Sequence, residues 1–267
     1  MNAYAHLSTQ RSLDRPETAV RVALSRRKPQ AECPRYLASL KRALWEEYPP
    51  FATELYDEMY GSASSSSQWL AMSLITHAQR EGERARRLWS MAAGSSENPN
   101  EQQLLKQHAC DESKHALAYL ALLDITFPGV VDPGFRSQLD QFSPGFEMNQ
   151  ELSLSKEDPV QPPSLDDYLT LNLDELRTAI HHVFRLRAIP KHCSADTLPQ
   201  ATTTLEKLLD DELNHVAYTA QIIEDKTKGT PAEKIQASFC KCVNNFIRAK
   251  SEEPIEFTYN QRFGNYP

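Results

Sequence analysis

Along residues 68–93 the apolar positions Leu74, Ala78, Ala85 and Leu88 fall on one helical face, while Thr76, Gln79, Arg80, Arg86 and Arg87 fall on another. The same spacing of three and four aligns Leu105, Ala116, Tyr119 and Leu122 within residues 100–126, and Tyr168, Leu171, Ala179 and Leu186 within residues 165–188. It recurs in Leu205, Leu209, Val216 and Ile222 within residues 201–226. Together with residues 232–249 these stretches are the long gaps between prolines, and a helix interior tolerates proline poorly. A further helix is predicted over residues 34–48, and a short apolar segment over 51–60 ends at a Ser-rich break, 61–67. Strand signals are scarce, so the expected fold is all-α. Residues 1–33 read as a mobile arm and 254–267 as a tail, which leaves a single helical-bundle domain over 34–253.

Short loops join 68–93 to 100–126 and 165–188 to 201–226, so each pair is expected to run antiparallel. Between the pairs lie residues 128–164, a stretch of 37 residues with six prolines and three glycines. At ~3.3 Å per extended residue this link outreaches a helix of ~36 Å and can cross a whole bundle. The expected core is therefore four helices over 68–226, in two pairs joined by one long crossover.

Two of those helices carry the same motif, Asp111-Glu112-Ser113-Lys114-His115 and Asp211-Glu212-Leu213-Asn214-His215. With 14 Asp, 22 Glu and 8 His in 267 residues, chance supplies about 0.03 copies of Asp-Glu-x-x-His, so two copies call for a cause. At their offset of 100 residues Leu105 matches Leu205, Ala116 matches Val216 and Leu122-Leu123 matches Ile222-Ile223, as an internal duplication of one helix would leave them. Glu at i and His at i+3 share a face one turn apart, so each pair offers a carboxylate and an imidazole to one ion. Both pairs lie on apolar stripes, where carboxylates are costly unless something cationic neutralises them, and a pair of metal ions does so.

Each partner helix is then expected to contribute one inward Glu. Within 68–93 that residue is Glu81, in line with Leu74, Ala78, Ala85 and Leu88, rather than Glu83 on the Arg-rich face. Within 165–188 it is Glu175, in line with Tyr168, Leu171, Ala179 and Leu186, rather than Asp174, which sides with Asp167, Thr170 and Arg177. The resulting order, Glu81, Glu112-x-x-His115, Glu175, Glu212-x-x-His215, has separations of 31, 63 and 37 residues.

This pattern resembles the ferritin-like di-iron carboxylate superfamily, which includes monooxygenase hydroxylases, ribonucleotide reductase small subunits and their oxidase relatives, and acyl-carrier-protein desaturases. The resemblance covers residues 68–226. It implies a ferritin-like four-helix bundle with one long crossover plus extra N- and C-terminal helices, and a six-residue set for two Fe ions, with Mn as the alternative metal. It further implies that Asp111 and Asp211 hydrogen-bond ligand histidines and fix the imidazole orientation.

Several neighbours keep two readings. His108, four before Glu112 where the duplicated helix has Leu208, is a further ligand or a pocket histidine; an arylamine N-oxygenase family uses such an added His on its last bundle helix. His77, four before Glu81, and His182, seven after Glu175, share the ligand faces as ligand, neighbour of a ligand or plain core. Tyr119, four after His115, sits at a position resembling the radical tyrosine of ribonucleotide reductase small subunits, or is a core or pocket tyrosine. Gly82, inside a predicted helix beside Glu81, marks close packing or a local bulge. Cys240 and Cys242 at i,i+2 point apart on a helix, so no soft-metal site is expected there.

Composition narrows the function. At 40% apolar and 24% charged residues the chain can bury a core, and its net charge of −7 argues against a nucleic-acid partner. It contains no run of 18 apolar residues, and its first 28 residues carry Asp14 and Glu17 without an apolar segment, so neither a membrane span nor secretion is expected. Five cysteines without a Cys-x-x-Cys pair fit a reducing cytoplasm. The expected activity is O2-dependent oxidation of a small organic substrate by hydroxylation, desaturation, N-oxygenation or C–C cleavage, in a monomer or homodimer. No flavin or nicotinamide fingerprint is present, so the electrons come from the substrate or from a separate reductase. The alternatives are ferritin-like storage or rubrerythrin-like peroxide defence, although the Cys-x-x-Cys modules of rubrerythrins are missing here. A heme-oxygenase-like di-iron oxidase fits only Glu175 with His182, and a metal-free helical interaction protein leaves the doubled motif without a cause.

Overall fold

A computed structural model describes residues 7, 14–27, 32–95, 97–152, 161–251 and 253. Among the described residues the fold is all-α, without strands. Its helices are α1 (Arg15–Ser25), α2 (Pro34–Glu47), α3 (Glu54–Ala63), α4 (Ser67–Gly94), α5 (Pro99–Thr126), α6 (Pro133–Leu139), α7 (Leu165–Ala188), α8 (Leu198–Lys226) and α9 (Ala232–Lys250). None of them is long and apolar enough to cross a membrane. The chain forms two compact units, one of residues 1–63, 164–186 and 209–267, the other of residues 64–163 and 187–208.

Capping side chains set the long helices. Ser66 Oγ accepts from the Trp69 N–H at 3.3 Å at the start of α4. Asn98 caps α5, taking the Glu101 N–H at 3.2 Å while its own amide reaches back to the Glu101 carboxylate, and Pro99 fills the first helical position. Ser164 and Asp167 cap each other at the start of α7, through Asp167 N–H to Ser164 Oγ at 3.2 Å and Ser164 N–H to Asp167 Oδ2 at 3.0 Å. Helix α8 begins at Leu198, three residues before the predicted 201, because Pro199 falls in the first turn, where no intrahelical donor is needed. α2 stops at Tyr48, whose φ of 46° is left-handed and whose N–H returns to Leu44 O at 3.2 Å before Pro49 and Pro50.

In the second unit α4 and α5, 28 residues each, turn back on one another over residues 95–98. α4 buries Leu70, Leu74, Ala78, Ala85 and Leu88, and α5 buries Leu105, Ala109, Ala116, Leu120 and Leu123. The described start of the crossover, residues 128–152, lies along this pair. After α6 and the 3-10 turn Asp140–Phe142, Ser143 Oγ donates to Ser113 O at 2.7 Å and the Phe146 N–H donates to Ser113 Oγ at 3.2 Å. The Phe146 ring stacks on Trp89 at 4.4 Å, and Lys106 Nζ donates to Gln150 O at 2.6 Å. Gly82 makes this approach possible, since a Cβ there would collide with the Phe142 carbonyl. Of the two readings for this glycine, close packing is the one the structure shows.

The first unit packs α2 on α9, with Tyr36 against Phe239 at 5.8 Å and Phe51 edge-on to Phe246 at 6.1 Å. Among the described residues of the arm expected over 1–33, residues 15–25 are helical. Within them α1 is a helix with Pro16 and Glu17 in its first turn, and it buries Ala19, Val20, Ala23 and Leu24. A stripe of two alanines, one valine and one leucine is too weak to stand out from sequence, and distant partners hold it: Arg15 pairs with Asp57 at 2.8 Å and lies over the Phe184 ring. Residues 1–6, 8–13 and 28–31 of the arm, and the tail 254–267, lie outside the described residues.

Two glycine substitutions should act with opposite sign. Gly82→Ala should destabilise the protein by ~1–3 kcal/mol, because the new methyl must displace the Phe142 backbone. Gly61→Ala on α3, where an added Cβ meets nothing within 4 Å, should stabilise it by ~0.5–1 kcal/mol. Urea unfolding of the two variants checks both signs.

Candidate metal centre

Each unit buries the same set of donors. In the second unit Glu81 comes from α4, and Glu112 and His115 come from α5. Glu81 and Glu112 are 0% exposed, whereas Glu83, two residues along α4, is exposed and accepts from Gln79 Nε2 at 2.9 Å. His115 Nδ1 lies 3.6 Å from Glu112 Oε1. His108 Nε2 lies 3.0 Å from that same oxygen, so the added histidine is a direct neighbour of the carboxylate.

In the first unit Glu175 comes from α7, and Glu212 and His215 come from α8, with both carboxylates again 0% exposed. His215 Nδ1 lies 3.6 Å from Glu175 Oε2 and 3.7 Å from Glu212 Oε2. His182 Nε2 lies 3.8 Å from Glu212 Oε1. Asp174, the rejected alternative to Glu175, is half-buried and holds Lys250 Nζ at 2.8 Å. The two motifs thus repeat one geometry: the Glu-to-His separation is 3.6 Å in one and 3.7 Å in the other, and in both the imidazole turns Nδ1 toward the carboxylate.

Ligand atoms of His108 and Glu112, of Glu112 and His115, and of Glu175 and His215 lie within 4.8 Å of one another. Such buried Glu and His groups can hold a metal ion.

Burial pushes the Glu112 carboxyl up, yet the Arg84 charge and hydrogen bonds with Glu81, His108 and His115 hold it well below the usual carboxylate range. Arg84 Nη1 donates to Glu81 Oε2 at 2.9 Å and lies 3.4 Å from Glu112 Oε2, with its side chain only 14% exposed. Arg84 belongs to neither Asp-Glu-x-x-His motif, although Glu81-x-x-Arg84 repeats the i,i+3 spacing of the two Glu-x-x-His pairs.

The backbone beneath His215 is tied down by a buried chain of side chains. Thr219 Oγ1 donates to His215 O at 2.7 Å. Asn172 Nδ2 donates to Thr219 Oγ1 at 2.8 Å and to Val216 O at 3.1 Å, and Tyr36 OH donates to Asn172 Oδ1 at 2.7 Å. These residues were missed because they lie on different helices and share no local pattern.

The remaining candidates fall beside these groups. His77 Nδ1 is 2.8 Å from Ser73 O and its ring is 5.5 Å from that of Tyr119, so these two candidates are neighbours of each other. Asp111 is half-buried and accepts from Gln107 Nε2 at 2.9 Å, with Lys114 Nζ at 3.5 Å; Asp211 is half-buried as well. The five cysteines are free, and Cys240 and Cys242 do point apart, one half-buried with its thiol near Glu46, the other buried. No protein-family model matches the chain, and no curated protein or solved structure is significantly similar to it.

Removing the Tyr36 hydroxyl strands the buried Asn172 carbonyl, so Tyr36→Phe should destabilise the protein by ~1–3 kcal/mol. Tyr48→Phe, at a ring 49% exposed, should leave stability within ~0.5 kcal/mol of the parent. Equal midpoints for the two in thermal unfolding would refute the role given to the Tyr36–Asn172 bond.

Proposed function

We propose that the protein is an O2-dependent oxidoreductase of the ferritin-like di-iron type, with Glu81, Glu112, His115, Glu175, Glu212 and His215 holding two iron ions. The observation that carries this reading is the repetition of one donor set, a lone buried Glu beside a buried Glu-x-x-His pair, in each of the two units. When bound, a pair of iron ions in carboxylate and imidazole ligation supplies the activation of dioxygen and the oxidation of a small organic substrate, by hydroxylation, desaturation, N-oxygenation or C–C cleavage.

The chain's own residues do the rest. The four carboxylates supply the negative charge that holds two cations, and their burial keeps water from competing for the same positions. His115 and His215 present Nδ1, a neutral nitrogen donor, and Thr219 fixes the backbone from which His215 projects. Asp111 and Asp211, each preceding a ligating Glu, orient the imidazoles. The described part of the crossover is seated on Gly82 and Ser113, each one residue after a candidate ligand, Glu81 and Glu112. Electrons come from the substrate or from a separate reductase, and a cytoplasmic setting suits the free thiols.

Purified protein should carry about two iron ions per chain. Glu112→Ala and His215→Ala should each remove most of that iron, Glu83→Ala should not, and elemental analysis that found equal iron in all three would sink the assignment. Asp111→Ala and Asp211→Ala should fold but bind iron ~10–100-fold more weakly. A storage protein instead takes up tens of irons per chain in air and elutes as a large shell, so uptake that stops near two per chain in a monomer or dimer separates enzyme from store.

A further inference from the structure

Two imidazole nitrogens converge on one oxygen of Glu112. His108 Nε2 lies 3.0 Å from Oε1, and His115 Nδ1 lies 3.6 Å from the same atom. The other oxygen, Oε2, faces the Arg84 guanidinium at 3.4 Å, so the carboxylate turns Oε1 toward the two rings. Donors that share an ion at ~2.1 Å stand between about 3 Å apart, when at right angles, and about 4.2 Å apart, when on opposite sides. Both separations on Oε1 fall in that range. The equivalent position of α8, 100 residues on, does without an imidazole: Leu208 fills it at 2% exposure, where His108 is 1% exposed. A buried imidazole is costlier than a leucine unless its nitrogens are put to use.

We infer that His108 is a metal ligand through Nε2, a seventh donor residue beside the six assigned above, so that the centre holds three imidazoles. This inference rests on the dinuclear reading above. Ligation uses the Nε2 lone pair, so the neutral ring then carries its single proton on Nδ1. In the metal-free chain Nε2 instead hydrogen-bonds Glu112 Oε1, which parks the ring beside the oxygen it would share an ion with. Arg84 helps from the far side, since by holding Oε2 it keeps Oε1 aimed at the rings. Imidazole suits Fe, whereas Mn prefers oxygen donors, so a third ring favours Fe between the two metals that the sequence left open.

The test uses the full chain, stripped of metal and saturated with Co2+. With 15N-labelled histidine, its hyperfine-shifted 1H NMR spectrum shows one ring N–H signal per bound imidazole. Three such signals are expected in the parent, and one fewer in both His108→Leu and His108→Gln. Calorimetry of Co2+ binding separates a ligand from a hydrogen-bond donor. Glutamine can still donate to Glu112 Oε1 but offers no imidazole, so both variants should bind one of the two ions about tenfold or more weakly than the parent. Parent affinity restored by glutamine, or an equal number of signals in the parent and the variants, would overturn the inference while leaving the dinuclear reading in place. Fewer than two Co2+ bound by the parent would overturn both. Circular dichroism checks each variant, and if His108→Gln does not fold, His108→Leu, which copies the residue of α8, still decides the count of imidazoles.

Discussion

Four carboxylates, Glu81, Glu112, Glu175 and Glu212, sit at 0% exposure, and the demand that each be neutralised governs the rest of the molecule. A carboxylate taken out of water is stable only where cations or hydrogen-bond donors replace the lost hydration. Every one of these four has a histidine within 3.8 Å or an arginine within 3.4 Å. The helices are long because the ligands sit near their middles, several turns from either end, where the backbone has no spare donors and side chains must do the neutralising. An interior arranged in this way is expensive as plain structure and can hold a metal ion.

Placing such groups also demands a stiff backbone, and the two units achieve it by different means. Beneath His215 the stiffness comes from polar links between α2, α7 and α8, through Tyr36, Asn172 and Thr219. Beside Glu81 and Glu112 it comes from the crossover, whose Phe142, Ser143 and Phe146 contact Gly82, Ser113 and Trp89. Gly82 and Ser113 each follow a ligand candidate directly in sequence, so the crossover is coupled to the backbone of both. Two helices that carry the same motif thus have two different kinds of support. Residues that share one motif are held by unlike mechanical supports.

Much of this was legible in the chain itself. The positions of α4, α5, α7 and α8, the choice of Glu81 over Glu83, and the pairing of Glu112 with His115 and Glu212 with His215 all depend on intrahelical geometry, which repeats every 3.6 residues whatever surrounds the helix. Periodicity alone therefore determined that this is an all-helical protein with two matching carboxylate and imidazole pairs on apolar faces. Only the tertiary structure decided the rest. It made α1 a packed helix through Asp57 and Phe184, chose close packing for Gly82, brought His182 to Glu212, and joined Tyr36 to Asn172 across 136 residues of chain. It also gave one carboxylate pair a guanidinium that spans two helices. Contacts of this kind join segments whose separation along the chain carries no period, so no local pattern encodes them, and they exist only once the helices have packed.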